Sequence, residues 1–143
     1  MVGEFAGNFL LKDQYGNEFE LYRNVDKRVL LVFYPKDNTP VCTKQLNHYN
    51  NNLEEFEKNK IKVVGINTDT RDSHISFCNQ FKLNFPLLID ENKKVSKDYK
   101  ALNLFGSNKR KLVLINTDKK IIFEQTVLPF RYLNVKQILR RVK

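Results

Sequence analysis

Four short apolar runs punctuate the chain: Val29-Leu30-Leu31-Val32-Phe33-Tyr34, Ile61-Lys62-Val63-Val64-Gly65-Ile66, Pro86-Leu87-Leu88-Ile89 and Leu112-Val113-Leu114-Ile115. Runs this short, rich in β-branched residues, have the pattern of strands buried on both faces. Between them the apolar period changes to three and four. Val41, Cys42, Leu46, Tyr49, Leu53 and Phe56 predict a helix from Thr39 to about Lys58. Ile75, Cys78 and Phe81 predict another from Asp72 to Lys82, and Val95 to Leu102 is a shorter candidate. Leu133, Val135, Ile138, Leu139 and Val142 give residues 131–142 an amphipathic helical stripe. Residues 9–22 read as a hairpin turning at Gly16-Asn17, and 121–126 as a strand returning along 112–115 through Asn116-Thr117-Asp118-Lys119. Strands that alternate with helices and close on a hairpin and a helix predict a layered α/β fold with a mixed central sheet.

The length of 143 residues suits a single domain spanning 1–143. Composition narrows the class. With 41% apolar and 12% aromatic residues, the chain is neither disordered nor a disulfide-stapled mini-protein. No apolar run is long enough to span a membrane, and Met1-Val2-Gly3-Glu4-Phe5 has none of the marks of a secretory signal. Two cysteines in such a chain fit a reducing, cytoplasmic setting. The net charge of +9 is unevenly placed: residues 109–143 hold 10 of the 25 basic side chains and 2 of the 16 acidic ones. A basic face could attract a polyanion. No phosphate loop, zinc-finger spacing or RNA-stacking motif accompanies it, so nucleic acid is not an expected partner.

The segment Phe33-Tyr34-Pro35-Lys36-Asp37-Asn38-Thr39-Pro40-Val41-Cys42-Thr43 carries the chemistry. A buried strand ends at Tyr34. Thr39 suits an N-cap and Pro40 the first helical position. Cys42 then falls in the first helical turn, where unpaired N–H groups and the positive end of the helix dipole favour a thiolate. The alternative is a small apolar side chain packing that turn.

Pro35, Thr39 and Cys42 match the Pro-x-x-x-Thr-x-x-Cys signature of peroxiredoxins, and the longer segment resembles the bacterioferritin-comigratory, or Q-type, subfamily. Gly65-Ile66, Ser73-His74 with Phe77, Phe85-Pro86-Leu87-Leu88 and Arg110 with Leu114-Ile115 extend the resemblance over almost the whole chain. It implies a thioredoxin-like fold and a peroxidase that reduces hydrogen peroxide and organic hydroperoxides without metal or other cofactor. By the same resemblance Cys42 is the peroxidatic nucleophile, Thr39 hydrogen-bonds thiolate and peroxide, Pro35 shields the pocket, and Arg110 supports the thiolate. Thioredoxin or a similar dithiol protein would be the reductant and the enzyme a monomer. Val41 departs from the subfamily, which commonly has Gly there; an altered pocket shape is expected. Gln45, one turn along, either orders the loop or is a solvated helix position.

Many Q-type members carry a resolving cysteine five residues after the first. Here Asn47 holds that place. Others carry it on a later helix, and Cys78 fits them, which implies an intramolecular disulfide reached by local unwinding of 72–82. The alternative is a one-cysteine peroxidase with Cys78 in the core. Two further readings are weaker. Zinc on Cys42, His48, His74 and Cys78 lacks the tight ligand pairs of structural sites. A thiol–disulfide oxidoreductase wants Cys-x-x-Cys, and Gln45 stands where the second cysteine would be.

Overall fold

Strict alternation along the apolar runs decides how the layers stack. Leu30, Val32 and Tyr34 point into one core, while Val29, Leu31 and Phe33 point into the other, as the two-residue period of a strand requires. A computed structural model describes residues 1–37 and 39–142. In chain order its elements are β1 (Leu10–Asp13), β2 (Glu18–Glu20), a 3-10 turn at Leu21–Arg23, β3 (Arg28–Phe33), α1 (Pro40–Asn51), α2 (Leu53–Lys58), β4 (Ile61–Asn67), α3 (Arg71–Phe81), β5 (Leu87–Ile89), α4 (Lys94–Asp98), β6 (Arg110–Ile115), β7 (Ile121–Val127) and α5 (Val135–Arg141). The strands form one mixed sheet in the order β2-β1-β5-β4-β3-β6-β7. β5, β4 and β3 run parallel, and β6 joins β3 antiparallel. The first core holds residues of α1, α2, α3 and α5 together with Cys42 and Cys78; the second holds Val95 of α4 and the apolar residues of the N-terminal segment.

The four buried strands lie where the sequence puts them. Three predicted helices differ. The long one breaks at Asn52, whose backbone leaves the helical region and whose side chain donates to the His48 carbonyl at 2.8 Å. Asparagine competes with the helix for its own backbone groups. The candidate at 95–102 shrinks to the five residues of α4 and stops before Lys100, which is left-handed with φ 56°. The last helix begins at Val135 because Asn134 and Gln137 form a reciprocal capping box. The N-terminal hairpin is the edge of the main sheet, paired through Lys12 with Ile89 and Asp13 with Leu88.

Gly65 fixes how closely the sheet approaches the site. A Cβ built there would lie 2.6 Å from Leu87 Cδ2 and 3.3 Å from Tyr34 Cε1. Both neighbours are fully buried. Gly65→Ala should therefore destabilise the protein by about 1–3 kcal/mol through overpacking, read as a lowered midpoint in chemical unfolding, and turn the Tyr34 ring whose hydroxyl donates to Asp37 in the loop before α1.

Candidate active site

Cys42 lies in the first turn of α1 because Thr39 ends the preceding loop in an extended conformation and Pro40 opens the helix. Its side chain is fully buried against the first core. Arg110, the first residue of β6, is also buried. Arg110 Nη2 donates to Cys42 Sγ at 3.2 Å and to the Pro129 carbonyl at 2.9 Å. Nε donates to the same carbonyl, and Nη1 donates to Gln45 Oε1 at 2.6 Å. Four of the five guanidinium N–H groups are thus engaged, which fixes the plane of the cation beside the sulfur.

Gln45 belongs to this arrangement and is fully buried, not a solvated helix position. Arginine has no acceptor, so the amide oxygen must face it. The amide nitrogen then donates to Tyr49 Oη at 3.2 Å, and Tyr49 donates to the Leu133 carbonyl at 2.7 Å. Burial, the largest influence, raises the Tyr49 phenol well above its ordinary range, so it stays a donor. The spacing 42, 45, 49 on one helical face was the available signal, and three polar or weakly polar residues on an apolar stripe disguised it.

Lys109-Arg110-Lys111 reads in sequence as one basic cluster, and the fold separates it. Lys109 is exposed. Arg110 faces Cys42. Lys111 is buried on the opposite side of the sheet, donating to the Tyr99 carbonyl at 2.7 Å and pairing with Glu124 at 3.3 Å. Alternation along β6 makes this division.

Thr39 departs from its expected contact. It holds the N-cap position, but its hydroxyl donates to the Lys36 carbonyl at 3.1 Å and makes no cap bond to the helix. Pro35 is half-buried in the same loop, and Asn38 lies outside the described residues. Cys78 is not beside Cys42. It sits in α3, buried, and accepts from Gln14 Nε2 at 3.2 Å. Burial first, then the carboxylates of Asp37 and Asp13, push its thiol up to about 12. Both cysteines are free thiols. The histidines weighed as zinc ligands are committed elsewhere: His48 Nε2 accepts from the Val135 N–H, and both His74 nitrogens are engaged, by Asp37 and by the Leu88 carbonyl.

A thiol in a first helical turn beside a fixed guanidinium has the surroundings of a nucleophile. The AhpC/TSA family matches residues 2–124. The chain belongs to that family. A Helicobacter pylori protein bearing the name peroxiredoxin bcp is 43% identical over 138 residues, covering 94% of this chain and 89% of that one. A chloroplastic peroxiredoxin Q of Arabidopsis thaliana is 42% identical over 106 residues, 73% of this chain and 49% of that one. Among solved structures, the reduced 2-Cys peroxiredoxin of Plasmodium vivax superposes with a TM-score of 0.91 at 25% identity, over 99% of this chain and 93% of that one. The thioredoxin-like peroxiredoxin fold and Q-type membership expected from the sequence are both borne out. This peroxiredoxin is a thiol-dependent peroxidase, whose chemistry takes a peroxide and a thiol reductant. Among the described residues no helix is long and apolar enough to cross a membrane.

Proposed function

We propose that Cys42 is the peroxidatic thiol, that Arg110 and Gln45 hold it ready, and that Cys78 resolves the product. The observation that carries the reading is the Arg110 guanidinium on the Cys42 sulfur at 3.2 Å. A fixed cation favours thiolate over thiol and stabilises charge on a leaving oxygen. The thiolate attacks the distal peroxide oxygen. An S–O bond forms, the O–O bond breaks, and the departing hydroxide or alkoxide takes up a proton as water or alcohol. Cys42 becomes sulfenic acid. Thr39 supports the loop through Lys36, and its hydroxyl, at the entrance to the helix, turns to the peroxide when substrate binds. Pro35 covers the loop.

The Cys78 thiolate then attacks the sulfenyl sulfur. The S–S bond forms, the S–O bond breaks, and hydroxide leaves as water with the proton from Cys78. A dithiol protein such as thioredoxin reduces the disulfide, in the reducing, cytoplasmic setting that suits a chain with two cysteines. The enzyme acts as a single 1–143 domain and as a monomer.

Mass spectrometry without reductant, after one equivalent of peroxide, tests the scheme. Wild type should give a 42–78 disulfide. Cys78→Ser should stall as Cys42 sulfenic acid and pass to sulfinic acid with more peroxide, with turnover falling by about tenfold or more when thioredoxin is the reductant. Normal turnover of Cys78→Ser would make this a one-cysteine enzyme with Cys78 in its core.

A further inference from the structure

The loop that carries the reactive helix is fastened to the helix that carries the second cysteine. Asp37, between β3 and α1, is buried. Its Oδ1 accepts from Tyr34 Oη at 2.6 Å. Its Oδ2 accepts from Ser73 Oγ at 2.8 Å and contacts His74 Nδ1, both in the first turns of α3. The other ring nitrogen of His74 reaches the Leu88 carbonyl at 3.3 Å. Both ring nitrogens of His74 therefore face oxygen acceptors, the Asp37 carboxylate and the Leu88 carbonyl, which hold the ring from both sides. Burial alone would raise the Asp37 carboxyl, but bonds from His74, Tyr34 and Ser73 outweigh it and hold the group below its ordinary value.

Its place in the fold gives the pair a consequence for the reaction. Cys42 is engaged by Arg110 of β6, and Cys78 by Gln14, whose Oε1 accepts the N–H of Leu87 on β5. Each sulfur thus has its own donor, Arg110 Nη2 for Cys42 and Gln14 Nε2 for Cys78, both at 3.2 Å. A disulfide needs its Cα atoms within roughly 7 Å and the two sulfurs in direct bond. Both sulfurs must leave these donors, which shifts the start of α1, the body of α3, or both. Asp37 lies five residues before Cys42, and His74 four residues before Cys78, on the same helical face. Movement at either cysteine pulls on the bond between them.

Resting on the resolving role of Cys78, we propose that Asp37 and His74, assisted by Ser73, are positioning residues. They latch the catalytic loop to α3 and must release before Cys42 and Cys78 join. The latch then sets how Cys42 sulfenic acid divides. Held closed, the sulfenate attacks a second peroxide, forming another S–O bond and releasing water or alcohol as sulfinic acid forms. Released, Cys78 reaches it first and disulfide forms with loss of water. The closed latch also keeps the Asp37 carboxylate near Cys78, one of the influences that hold that thiol protonated.

The test uses full-length wild type, Asp37→Asn and the milder Ser73→Ala, treated with graded hydrogen peroxide without reductant. Disulfide formation is followed by rapid quench, and sulfinic acid by mass spectrometry. Asp37→Asn should form the 42–78 disulfide about tenfold faster, and Ser73→Ala about threefold faster, on the scale of a lost hydrogen bond to a charged group. Sulfinic acid should fall in the same proportion, and hydrogen exchange across 71–81 should rise while β3, β4 and β6 stay protected. A merely structural role would lower protection throughout and leave the partition unchanged. Should Asp37→Asn fail to fold, Ser73→Ala decides. Unchanged or increased sulfinic acid in the folded variants overturns the latch while disulfide still forms in wild type. Absence of a 42–78 disulfide in wild type overturns the resolving role of Cys78, and the latch with it.

Discussion

Peroxide turnover should fall by roughly 10⁴–10⁶-fold in Cys42→Ser, the scale on which an enzyme loses its covalent nucleophile. The protein should remain folded. Serine is nearly the shape of cysteine, the site is fully buried, and the hydroxyl oxygen still accepts from Arg110 Nη2, so no donor is stranded. What disappears is the thiolate, the species that attacks oxygen. Peroxide consumption with a dithiol reductant, beside a thermal melt, checks both halves. Full turnover in the folded variant would move the reaction to another residue.

Arg110→Met is the second large loss. Methionine fills similar space, but Cys42 Sγ, Gln45 Oε1 and the Pro129 carbonyl lose their donor together. Removing one preorganised electrostatic donor commonly costs about 10²–10³ in rate, so kcat/KM for peroxide should drop on that scale. Alkylation of Cys42 by iodoacetamide at pH 7 should slow alongside it, because the thiolate loses its cation. Stranding buried acceptors costs about 1–3 kcal/mol, visible as a lower unfolding midpoint. Arg110→Lys should recover part of the alkylation rate and little of the stability, since an ammonium lacks the planar fork that reaches Gln45 and Pro129 simultaneously. An alkylation rate untouched by Arg110→Met would remove the guanidinium from the reaction.

The sheet was legible because each buried strand is a continuous apolar run, a pattern set by burial on both faces and independent of distant residues. The start of α1 was legible for the opposite reason: capping chemistry is local, and Thr39-Pro40 states it in two residues. Asn52 was not, because whether an asparagine breaks a helix depends on whether its side chain finds a backbone carbonyl, and here it finds that of His48. Cys42 could be singled out from its place in the first helical turn, whereas Gln45 and Asp37 acquire meaning only from partners far along the chain. Asp37 looks like an ordinary loop residue until β4 and α3 bring Asn67, Ser73 and His74 around it. His74 invites a metal reading by its spacing from Cys78, and only the closeness of Asp37 reassigns it. Contacts between residues 37 and 74 leave no periodic trace, because each partner sits on a different element.

The divided fate of Lys109, Arg110 and Lys111 means that order, and not content, carries the information at this point in the chain. Exchanging Arg110 with Lys109 alters neither composition nor charge, and a mutational survey scored by residue class would record it as silent. Yet the exchange sends the guanidinium to solvent and leaves an amine facing sulfur. A single slip of register along β6 does the same to all three positions at once, turning each side chain to the wrong face of the sheet. Tolerance to substitution here is therefore directional: the exposed place accepts many residues, while its two neighbours, one facing the Cys42 sulfur and one the opposite core, cannot trade even with each other.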